Sequence, residues 1–334
     1  MDDIRWFAPN RYCTLPVPRL RDAGLRIATE GDSAARLVVA ADGASAITAF
    51  GYAWRHRRPL LVYLWDLPPW QLDGGRPNLV VPFRGRILKV PRLWGGYPER
   101  NGYYSRLRYA ARHAVGVWAP SLNSQQVISD KFGVTVEYVP FCFDSDRFNR
   151  AVGWHRRRAG ATPVVLSISR LVPYKNHAAV IRAVALLASK PRVRIVGKGP
   201  EGPALRALAA ELGVDLQLDE GWQSDEAMVE AYRSASAVIC PSRFEGIGLT
   251  PLEGAAVGVP TIASDIPTHR QFAAGYATLI PLDDDQVMAG AIERALQSDL
   301  VPATEPTHPI PELTIEACAA RFLPRLEALL RTVA

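Results

Sequence analysis

Two carboxylates and two glycines follow a short apolar segment in the second half of the chain. The apolar residues Ala237–Cys240 predict a buried strand, and Glu245, Gly246, Gly248 and Glu253 come after it. Glycine lets the backbone approach a ligand closely, and the N–H groups at the start of a helix favour an anion. Because open α/β sheets bind ligands at the carboxyl ends of their strands, this segment is typical of a site for a polar or anionic ligand.

The same segment also has a purely structural interpretation. Thr250 is a plausible N-cap, Pro251 takes the first helical position, and Glu253 comes three residues after the cap. This spacing is a capping box, in which the Glu253 carboxylate satisfies backbone N–H groups and does no chemistry. Glu245 has no obvious capping role, although the two glycines beside it could simply form a tight turn. The segment alone leaves both interpretations open.

A second segment supplies positive charge after another apolar strand. Val164–Ile168 predicts a buried strand, and Arg170 and Lys175 lie in the loop that follows it, where Asn176 can cap the next helix. The planar arginine fork binds phosphate oxygens in pairs and the lysine acts as a point charge, so two cations at a strand end suit a pyrophosphate. As an isolated pair they would more simply be solvated surface cations.

Taken together, the two segments resemble a known family. The pattern S-R-x4-K-N at residues 169–176, with E-x7-E at residues 245–253, is similar to the donor-site signature of the retaining glycosyltransferases of family 4, which have the GT-B fold. The similarity is strong over about residues 160–300, weaker over residues 110–150 and poor before residue 110. It implies an α/β protein of two Rossmann-like parallel-sheet domains that face each other across a cleft.

The resemblance also implies an activity and a role for each residue of the two segments. The enzyme would transfer a sugar from a nucleoside-diphosphate sugar to an acceptor hydroxyl with retention of configuration, the leaving phosphate itself taking the acceptor's proton. Arg170 and Lys175 would hold the pyrophosphate, Glu245 would hydrogen-bond sugar hydroxyls, and Glu253 would bind the ribose. The other donor contacts would come from the loop, the helix start and a turn near the base: Gly246, Ile247, Gly248, Leu249, Thr250, Gly197 and Lys198.

The resemblance implies neither a metal nor a cofactor. The charges of Arg170 and Lys175 would neutralise the pyrophosphate in place of a divalent ion. The segment at residues 144–146 matches the DxD metal motif of the other large glycosyltransferase fold, but it lies where the resemblance places the linker between the domains.

The first half of the chain departs from the family. Residues 9–16 stand where many members carry a Gly-Gly loop that closes over the donor, and Arg11 is the residue there that could supply a charge instead of backbone N–H groups. Asp66 follows a predicted strand near the place of a family histidine, so it either contacts the sugar or acceptor or caps the turn before Pro68. These departures leave the acceptor more open than the donor chemistry.

The composition favours a two-domain protein without a membrane span. The 334 residues are enough for about two domains with full cores. No apolar run reaches the roughly 18–20 residues of a membrane helix, and the N-terminus lacks a signal-peptide pattern. The four cysteines are scattered without CxxC spacing, which favours reduced thiols in a cytoplasmic protein and argues against a structural zinc site.

Positive charge is concentrated in the first half. Residues 1–150 hold 21 Lys and Arg against 13 Asp and Glu, whereas residues 151–334 hold 18 against 20. Residues 84–112 carry eight basic residues, one acid and several aromatic ones, which suits an anionic membrane surface, an acidic acceptor or nucleic acid. The chain has no helix-turn-helix, RRM or zinc-finger pattern, so nucleic acid is not expected as a partner. A solvated basic face and peripheral contact with the inner face of the membrane remain as alternatives.

Short apolar strands alternate with helices along the chain, which predicts parallel sheets covered on both faces. In the first half, strands are predicted at residues 36–41, 45–50, 60–65, 115–119 and 137–141. The polar, aperiodic segment near residue 150 predicts a boundary between an acceptor-side domain, 1–150, and a nucleotide-sugar domain, 151–334, whose last helix could pack back on the first.

Other functions use the same phosphate-binding parts. A GT-B sugar epimerase or a glycosyl phosphorylase would need them equally, and the altered N-terminal loop is compatible with a non-catalytic nucleotide-sugar-binding subunit. The favoured setting is the biosynthesis of a bacterial glycoconjugate or natural product, with a carbohydrate, lipid-linked or small-molecule acceptor.

Overall fold

A computed structural model of the chain describes residues 2–31, 34–69, 81–83, 86–88, 103–144, 146–149, 162–221, 223–298 and 311–333. The chain divides into two compact units, one formed by Met1–Cys142 with Ile315–Ala334 and the other by Phe143–Thr314. The division falls between Cys142 and Phe143 rather than at residue 150. The last helix belongs to the first unit, in agreement with the expectation that it packs back on the first domain, so the second unit ends before the predicted range 151–334 does.

The first unit contains eight described strands: β1 (Asp2–Phe7), β2 (Ile27–Ala28), β3 (Ala35–Ala40), β4 (Leu60–Tyr63), β5 (Val81–Phe83), β6 (Arg86–Leu88), β7 (Gly116–Ala119) and β8 (Glu137–Tyr138). Six of them form a parallel sheet with the order β2-β1-β3-β4-β7-β8, and β5 and β6 form a separate antiparallel pair. Its helices before the second unit are α1 (Val17–Asp22), α2 (Gly43–Arg55), α3 (Tyr103–Arg112) and α4 (Leu122–Phe132).

Helix α2 corrects one prediction from the sequence. Residues 45–50 were predicted as a strand, but they lie inside this helix. Asp42 explains the difference, because its side chain accepts a hydrogen bond from the Ser45 N–H while Ser45 bonds back to the Asp42 N–H, which is a complete capping box. The alanines of the segment then form the buried face of the helix, with Ala46, Ala49 and Ala53 each at most 3% exposed.

The second unit contains the strands β9 (Val164–Ile168), β10 (Arg192–Gly197), β11 (Leu216–Glu220), β12 (Ala237–Cys240), β13 (Thr261–Ser264) and β14 (Thr278–Ile280). They form one sheet in which every strand is parallel to its neighbours, in the order β11-β10-β9-β12-β13-β14. The helices are α5 (Asp146–Asn149), α6 (His177–Ala185), α7 (Gly202–Leu212), α8 (Asp225–Ser234), α9 (Leu249–Val257), α10 (Pro267–Phe272) and α11 (Asp285–Gln297).

The order of this second sheet reverses between β9 and β12. Strands β10 and β11 extend the sheet on one side of β9, whereas β12, β13 and β14 extend it on the other. The two strands at the reversal are directly paired, with Ala237 opposite Val165 and Val238 opposite Leu166. Loops that follow them diverge at the carboxyl edge, and this is the position at which open α/β sheets bind ligands.

The last helix of the chain, α12 (Ile315–Thr332), is held to the first unit by aromatic packing. The Phe322 ring centroid lies 5.1 Å from that of Trp118 in β7 and 5.9 Å from that of Tyr63 in β4, and all three side chains are at most 3% exposed. Burial of such rings stabilises a domain by roughly 1.5–3 kcal/mol each. In the part of the chain that the structure describes, no helix has the combined length and apolarity needed to cross a bilayer.

Part of the basic segment 84–112 lies outside the described residues. The structure gives the backbone of Arg86–Leu88 and the helix Tyr103–Arg112 from this segment. The predicted DxD segment is also incomplete, because its central residue, Ser145, is outside them.

Candidate functional site

The two sequence segments meet at the reversal point of the second sheet. The loop after β9 carries Lys175, and the loop after β12 carries Glu245. The Lys175 Nζ atom lies 2.7 Å from the Glu245 Oε1 atom, and their side chains are 5% and 12% exposed. Two residues separated by 70 positions in the chain therefore form a shielded ion pair where a ligand is expected. Shielded charges need a partner, so each residue holds the other in place.

Arg170 lies beside this pair on an aromatic support. Its guanidinium donates a hydrogen bond to the Tyr174 hydroxyl and lies 5.6 Å from the centroid of the same ring. The Lys175 ammonium lies 5.1 Å from that centroid, so one buried tyrosine contacts both cations. Arg170 itself is exposed, which leaves this cation at the surface of the site, where it can reach a ligand.

The loop that carries Arg170 and Lys175 is held in place by a buried histidine that the sequence analysis did not select. His177 is fully buried; its Nδ1 atom lies 3.1 Å from the Ser167 hydroxyl oxygen and its Nε2 atom 2.8 Å from that of Ser169. Burial lowers the pKa of His177 from 6.5 to about 4, so the ring is neutral at neutral pH. Asn176 occupies the N-cap position of α6 with a positive φ of 59°, but its side chain makes no capping hydrogen bond, contrary to prediction.

The start of helix α9 differs from the predicted capping box. The helix begins at Leu249 and its N-cap is Gly248, with φ 77° and no capping side chain among the described residues. Thr250 lies inside the helix and its hydroxyl donates to the Ile168 carbonyl at 2.9 Å, while Pro251 is the third helical residue. Since no side chain caps this end, its backbone N–H groups remain able to bind an anion.

Glu253 lies in the middle of α9 and contacts helix α8. It is 6% exposed, and its Oε2 atom accepts a hydrogen bond of 2.5 Å from the Tyr232 hydroxyl of α8. Because α9 begins at Leu249 with Gly248 as its N-cap, the predicted capping box of Thr250 and Glu253 is not formed. Tyr232 is fully buried and was not selected from the sequence, because its hydroxyl reaches Glu253 across 21 positions without any motif.

The short helix α10 packs against the loop that carries Glu245. The Thr268 hydroxyl donates to the Glu245 carbonyl at 2.9 Å, and the His269 ring lies under Gly248, where an added Cβ would come within 2.9 Å of the His269 Cδ2 atom. His269 is fully buried, and burial lowers its pKa, so the ring is neutral. Its Nδ1–H donates to the Ser264 carbonyl at 2.7 Å, which directs the Nε2 lone pair toward Cys240.

Cys240, Glu245 and His269 could in principle bind a metal, because their ligand atoms all lie within 4.8 Å of one another. A thiolate, an imidazole and a carboxylate are ligands of zinc. In this site, however, burial raises the pKa of the Cys240 thiol to about 12, and the Lys175 ammonium already neutralises Glu245. The Cys240 thiol therefore keeps its proton at neutral pH, and the Glu245 carboxylate is already paired with Lys175.

Gly197 and Lys198, which were predicted to lie near the nucleotide base, pack against the loop that carries Arg170 and Lys175. A Cβ at Gly197 would come within 1.9 Å of the Ser169 carbonyl oxygen, so only glycine fits there. The Leu171 N–H donates to the Lys198 carbonyl at 3.0 Å, and the Lys198 side chain is exposed at the same edge of the sheet. In the loop after β12, Gly246 and Ile247 are buried.

The two candidates from the first half belong to the other unit. Asp66 is half-buried and comes three residues after the end of β4, at the carboxyl edge of the first sheet. Arg11 begins a short 3-10 helix, Arg11–Thr14, and its side chain lies outside the described part of the structure. The structure therefore brings together the second-unit candidates and leaves Asp66 and Arg11 as predictions.

Comparison with known proteins finds a family match within the second unit. Residues 155–306 match the family model described as Glycosyl transferases group 1. This match agrees, at the level of the family, with the resemblance inferred from the two motifs. Retention of configuration and membership of family 4 go beyond this match.

Curated relatives carry glycosyltransferase names. The D-inositol 3-phosphate glycosyltransferase of Acidothermus cellulolyticus is 37% identical over 166 residues, which is 43% of this chain and 36% of that protein. The GDP-mannose-dependent alpha-(1-6)-phosphatidylinositol monomannoside mannosyltransferase of Mycobacterium tuberculosis is 34% identical over 147 residues, 39% of this chain and 38% of that protein. The chain thus matches little more than a third of the length of these relatives. The family and its named relatives are those of glycosyltransferase enzymes.

Solved structures match both units. Anabaena HepE in complex with UDP and glucose has a TM-score of 0.62 and 14% identity, covering 100% of this chain and 97% of that one. Sucrose-phosphate synthase from Thermosynechococcus elongatus has a TM-score of 0.63 and 14% identity, covering 100% of this chain and 96% of that one. At this identity the likeness shows the fold alone. The chain has the GT-B fold, as predicted.

Proposed function

We propose that this chain is a glycosyltransferase that moves a sugar from a nucleoside-diphosphate sugar to an acceptor hydroxyl with retention of configuration. The observation that supports this most strongly is the shielded Lys175–Glu245 pair, 2.7 Å apart, at the reversal point of the second sheet. It places a cation for a phosphate and an acceptor for a sugar hydroxyl in direct contact. The group 1 domain and the named relatives support the same activity.

Each residue has a defined task in this mechanism. Lys175 and Arg170 bind the pyrophosphate and neutralise the charge that develops on it as the glycosidic C–O bond breaks. Glu245 accepts hydrogen bonds from sugar hydroxyls and fixes the sugar relative to the leaving group. Glu253, held by Tyr232, accepts hydrogen bonds from the ribose hydroxyls. The leaving phosphate oxygen takes the proton of the acceptor hydroxyl, so no protein nucleophile is required.

The backbone supplies the remaining contacts. The N–H groups of Gly246–Leu249, in the loop before α9 and at its uncapped start, bind the distal phosphate and the sugar. Gly197 and Lys198 lie at the same edge and contact the nucleotide base. Asp66 and Arg11, in the first unit, act on the acceptor side. The reaction is metal-independent in this proposal, since the Lys175 ammonium lies against Glu245 where a cation would act.

The names of relatives and neighbours suggest substrate classes. HepE was crystallised with UDP and glucose, and the mycobacterial relative is named for GDP-mannose and a phosphatidylinositol mannoside. We therefore propose a pyrimidine or purine nucleoside-diphosphate hexose as donor and a polyol or lipid-linked acceptor, used at the cytoplasmic side of the membrane. A non-catalytic nucleotide-sugar-binding subunit would need the same second unit.

Proton NMR of the anomeric region tests the proposal. Incubation with UDP-, GDP-, dTDP- and ADP-hexoses is expected to give slow hydrolysis of one donor, with the released sugar first appearing in the donor's own configuration. Glu245→Gln should keep nucleotide binding and lose turnover by about tenfold or more, because its contacts are to the sugar. Inverted product would contradict retention, and binding without any turnover would favour the non-catalytic subunit.

A further inference from the structure

The outer sides of α2 and α3 form an aromatic and basic surface, which we name the α2–α3 face and define as residues 43–60 and 103–115. Trp54 is 71% exposed and Tyr109 is 50% exposed, although aromatic side chains usually bury most of their area. The Phe50 ring contacts both, with its centroid 6.1 Å from that of Trp54 and 5.5 Å from that of Tyr109. One aromatic strip therefore joins two helices that are far apart in sequence.

This face has a single sign of charge. Residues 43–60 and 103–115 contain no Asp or Glu, and they contain six arginines: Arg55, Arg57, Arg58, Arg106, Arg108 and Arg112. Arg55, Arg57 and Arg108 form no ion pair with any residue that the structure describes. The absence of acidic residues from these two ranges gives the face a positive potential, which favours an anionic partner.

A groove of about 530 Å³ lies at one end of the face. Phe50, Trp54, Arg57, Arg58 and His113 line it, and the buried Nε atom of Arg58 has no hydrogen-bond partner in the described structure. The groove also reaches the first residue of β4, so it lies at the amino edge of the first sheet. The carboxyl edge, where ligands of such sheets bind, is the opposite one.

We propose that the α2–α3 face docks on an anionic phospholipid bilayer, with a lipid phosphate seated in this groove. The guanidinium groups of Arg57 and Arg58 bind phosphate oxygens in a fork geometry that lysine cannot match. Trp54 and Tyr109 have the apolar body and polar edge that favour the headgroup level of a membrane. Each arginine near an anionic leaflet contributes about 1 kcal/mol, so several of them together give stable peripheral binding.

The lining of the groove favours a lipid over a nucleic acid. Phe50, Ala53 and Leu60 give it an apolar floor, which suits the glycerol and acyl part of a phospholipid. A nucleic acid would use the aromatic rings as stacking platforms along a strand, and it would leave this floor without a matching partner. The docking surface stands independently of the proposed glycosyl transfer, because it shares no residue with the candidate site.

Vesicle co-sedimentation tests the proposal with the full chain. Wild type should bind vesicles of phosphatidylcholine with about a third phosphatidylglycerol at low ionic strength, should lose binding at about 0.5 M salt, and should not bind phosphatidylcholine alone. Arg55→Glu/Arg57→Glu should weaken the binding at least tenfold. Trp54→Ala should weaken it several-fold, including at intermediate salt, because indole insertion is not screened.

A charge-matched control separates docking from general attraction. Arg294→Glu/Arg331→Glu changes the net charge of the chain equally, but it acts on exposed residues of α11 and α12. This control should bind vesicles as wild type does, and all variants should keep the wild-type melting temperature. The proposal is overturned if wild type does not bind the anionic vesicles, if the control loses as much binding as the α2–α3 variant, or if a single-stranded oligonucleotide removes the protein from vesicles at equal phosphate concentration.

Discussion

Replacing Lys175 by alanine should reveal how strongly the candidate site depends on its ion pair. The two side chains are 5% and 12% exposed and their charged atoms are 2.7 Å apart, so Lys175→Ala leaves the Glu245 carboxylate shielded and uncompensated. Removal of one partner from a buried pair costs about 3–5 kcal/mol. At about 2–4 °C per kcal/mol for a domain of this size, the second unit should melt at least about 6 °C lower.

A second substitution shows whether the loss comes from the unpaired charge. In Lys175→Ala/Glu245→Gln the remaining side chain is neutral, so we expect at least half of the lost stability to return. Nucleotide binding should not return, because the phosphate ligand is still missing. Scanning calorimetry measures the first quantity and isothermal titration with nucleoside diphosphates measures the second.

Arg294→Ala serves as the control, since Arg294 is an exposed cation of the same unit. It should change neither the melting temperature nor the affinity for nucleotide by a measurable amount. Equal melting temperatures for Lys175→Ala and Arg294→Ala would refute the claim that the Lys175–Glu245 pair stabilises the second unit.

Three further substitutions test single contacts. Tyr232→Phe removes the hydroxyl that holds Glu253, so the donor KM should rise about fivefold with kcat nearly unchanged, as steady-state kinetics would measure. Gly248→Ala should destabilise the second unit by more than about 1 kcal/mol in urea melts, because φ is 77° and the added Cβ meets His269, whereas Gly51→Ala in the open part of α2 should be neutral or stabilising. Burial lowers the pKa of His177 from 6.5 to about 4, so the unfolded chain takes up this proton at a higher pH than the folded chain. The stability of the second unit should therefore fall as the pH drops from 6.5 to 4, and His177→Asn should flatten this part of the pH profile.

The second unit was predictable because its strands are short apolar runs that end in residues with special chemistry. The pattern over Val164–Ile168 and Ala237–Cys240 gave both strands of the reversal point with their observed ends. The pairing of these two strands, and hence the meeting of Lys175 and Glu245, follows from sheet topology rather than from any local signal. A sequence pattern shows which loops carry charge, but the order of the strands decides which loops are neighbours.

Other features depend on contacts that produce no periodic pattern in the sequence. The N-terminus of α9 was misplaced because Thr250 and Pro251 form a good start signal, whereas Gly248 supplies the positive φ at which the helix begins. Residues 45–50 are a short, mostly apolar run that was predicted as a strand, but the capping interaction of Asp42 with Ser45 starts a helix there. Tyr232 and His269 contact the site through residues that are distant in the sequence, Glu253 and Gly248, and no sequence motif encodes these contacts.

Titration of wild type and Lys175→Ala with a nucleoside diphosphate tests the central claim most directly. A thermal-shift screen against UDP, GDP, dTDP and ADP first selects the base, because a ligand that binds only the folded state raises its melting temperature. Calorimetry at neutral pH, with a chelator present, should then give one site in wild type and at least tenfold weaker binding in Lys175→Ala, the loss expected for a charge-assisted hydrogen bond. No binding of any of the four nucleotides to wild type, or equal affinity in the two proteins, would contradict the assignment of this site to a nucleotide-sugar donor.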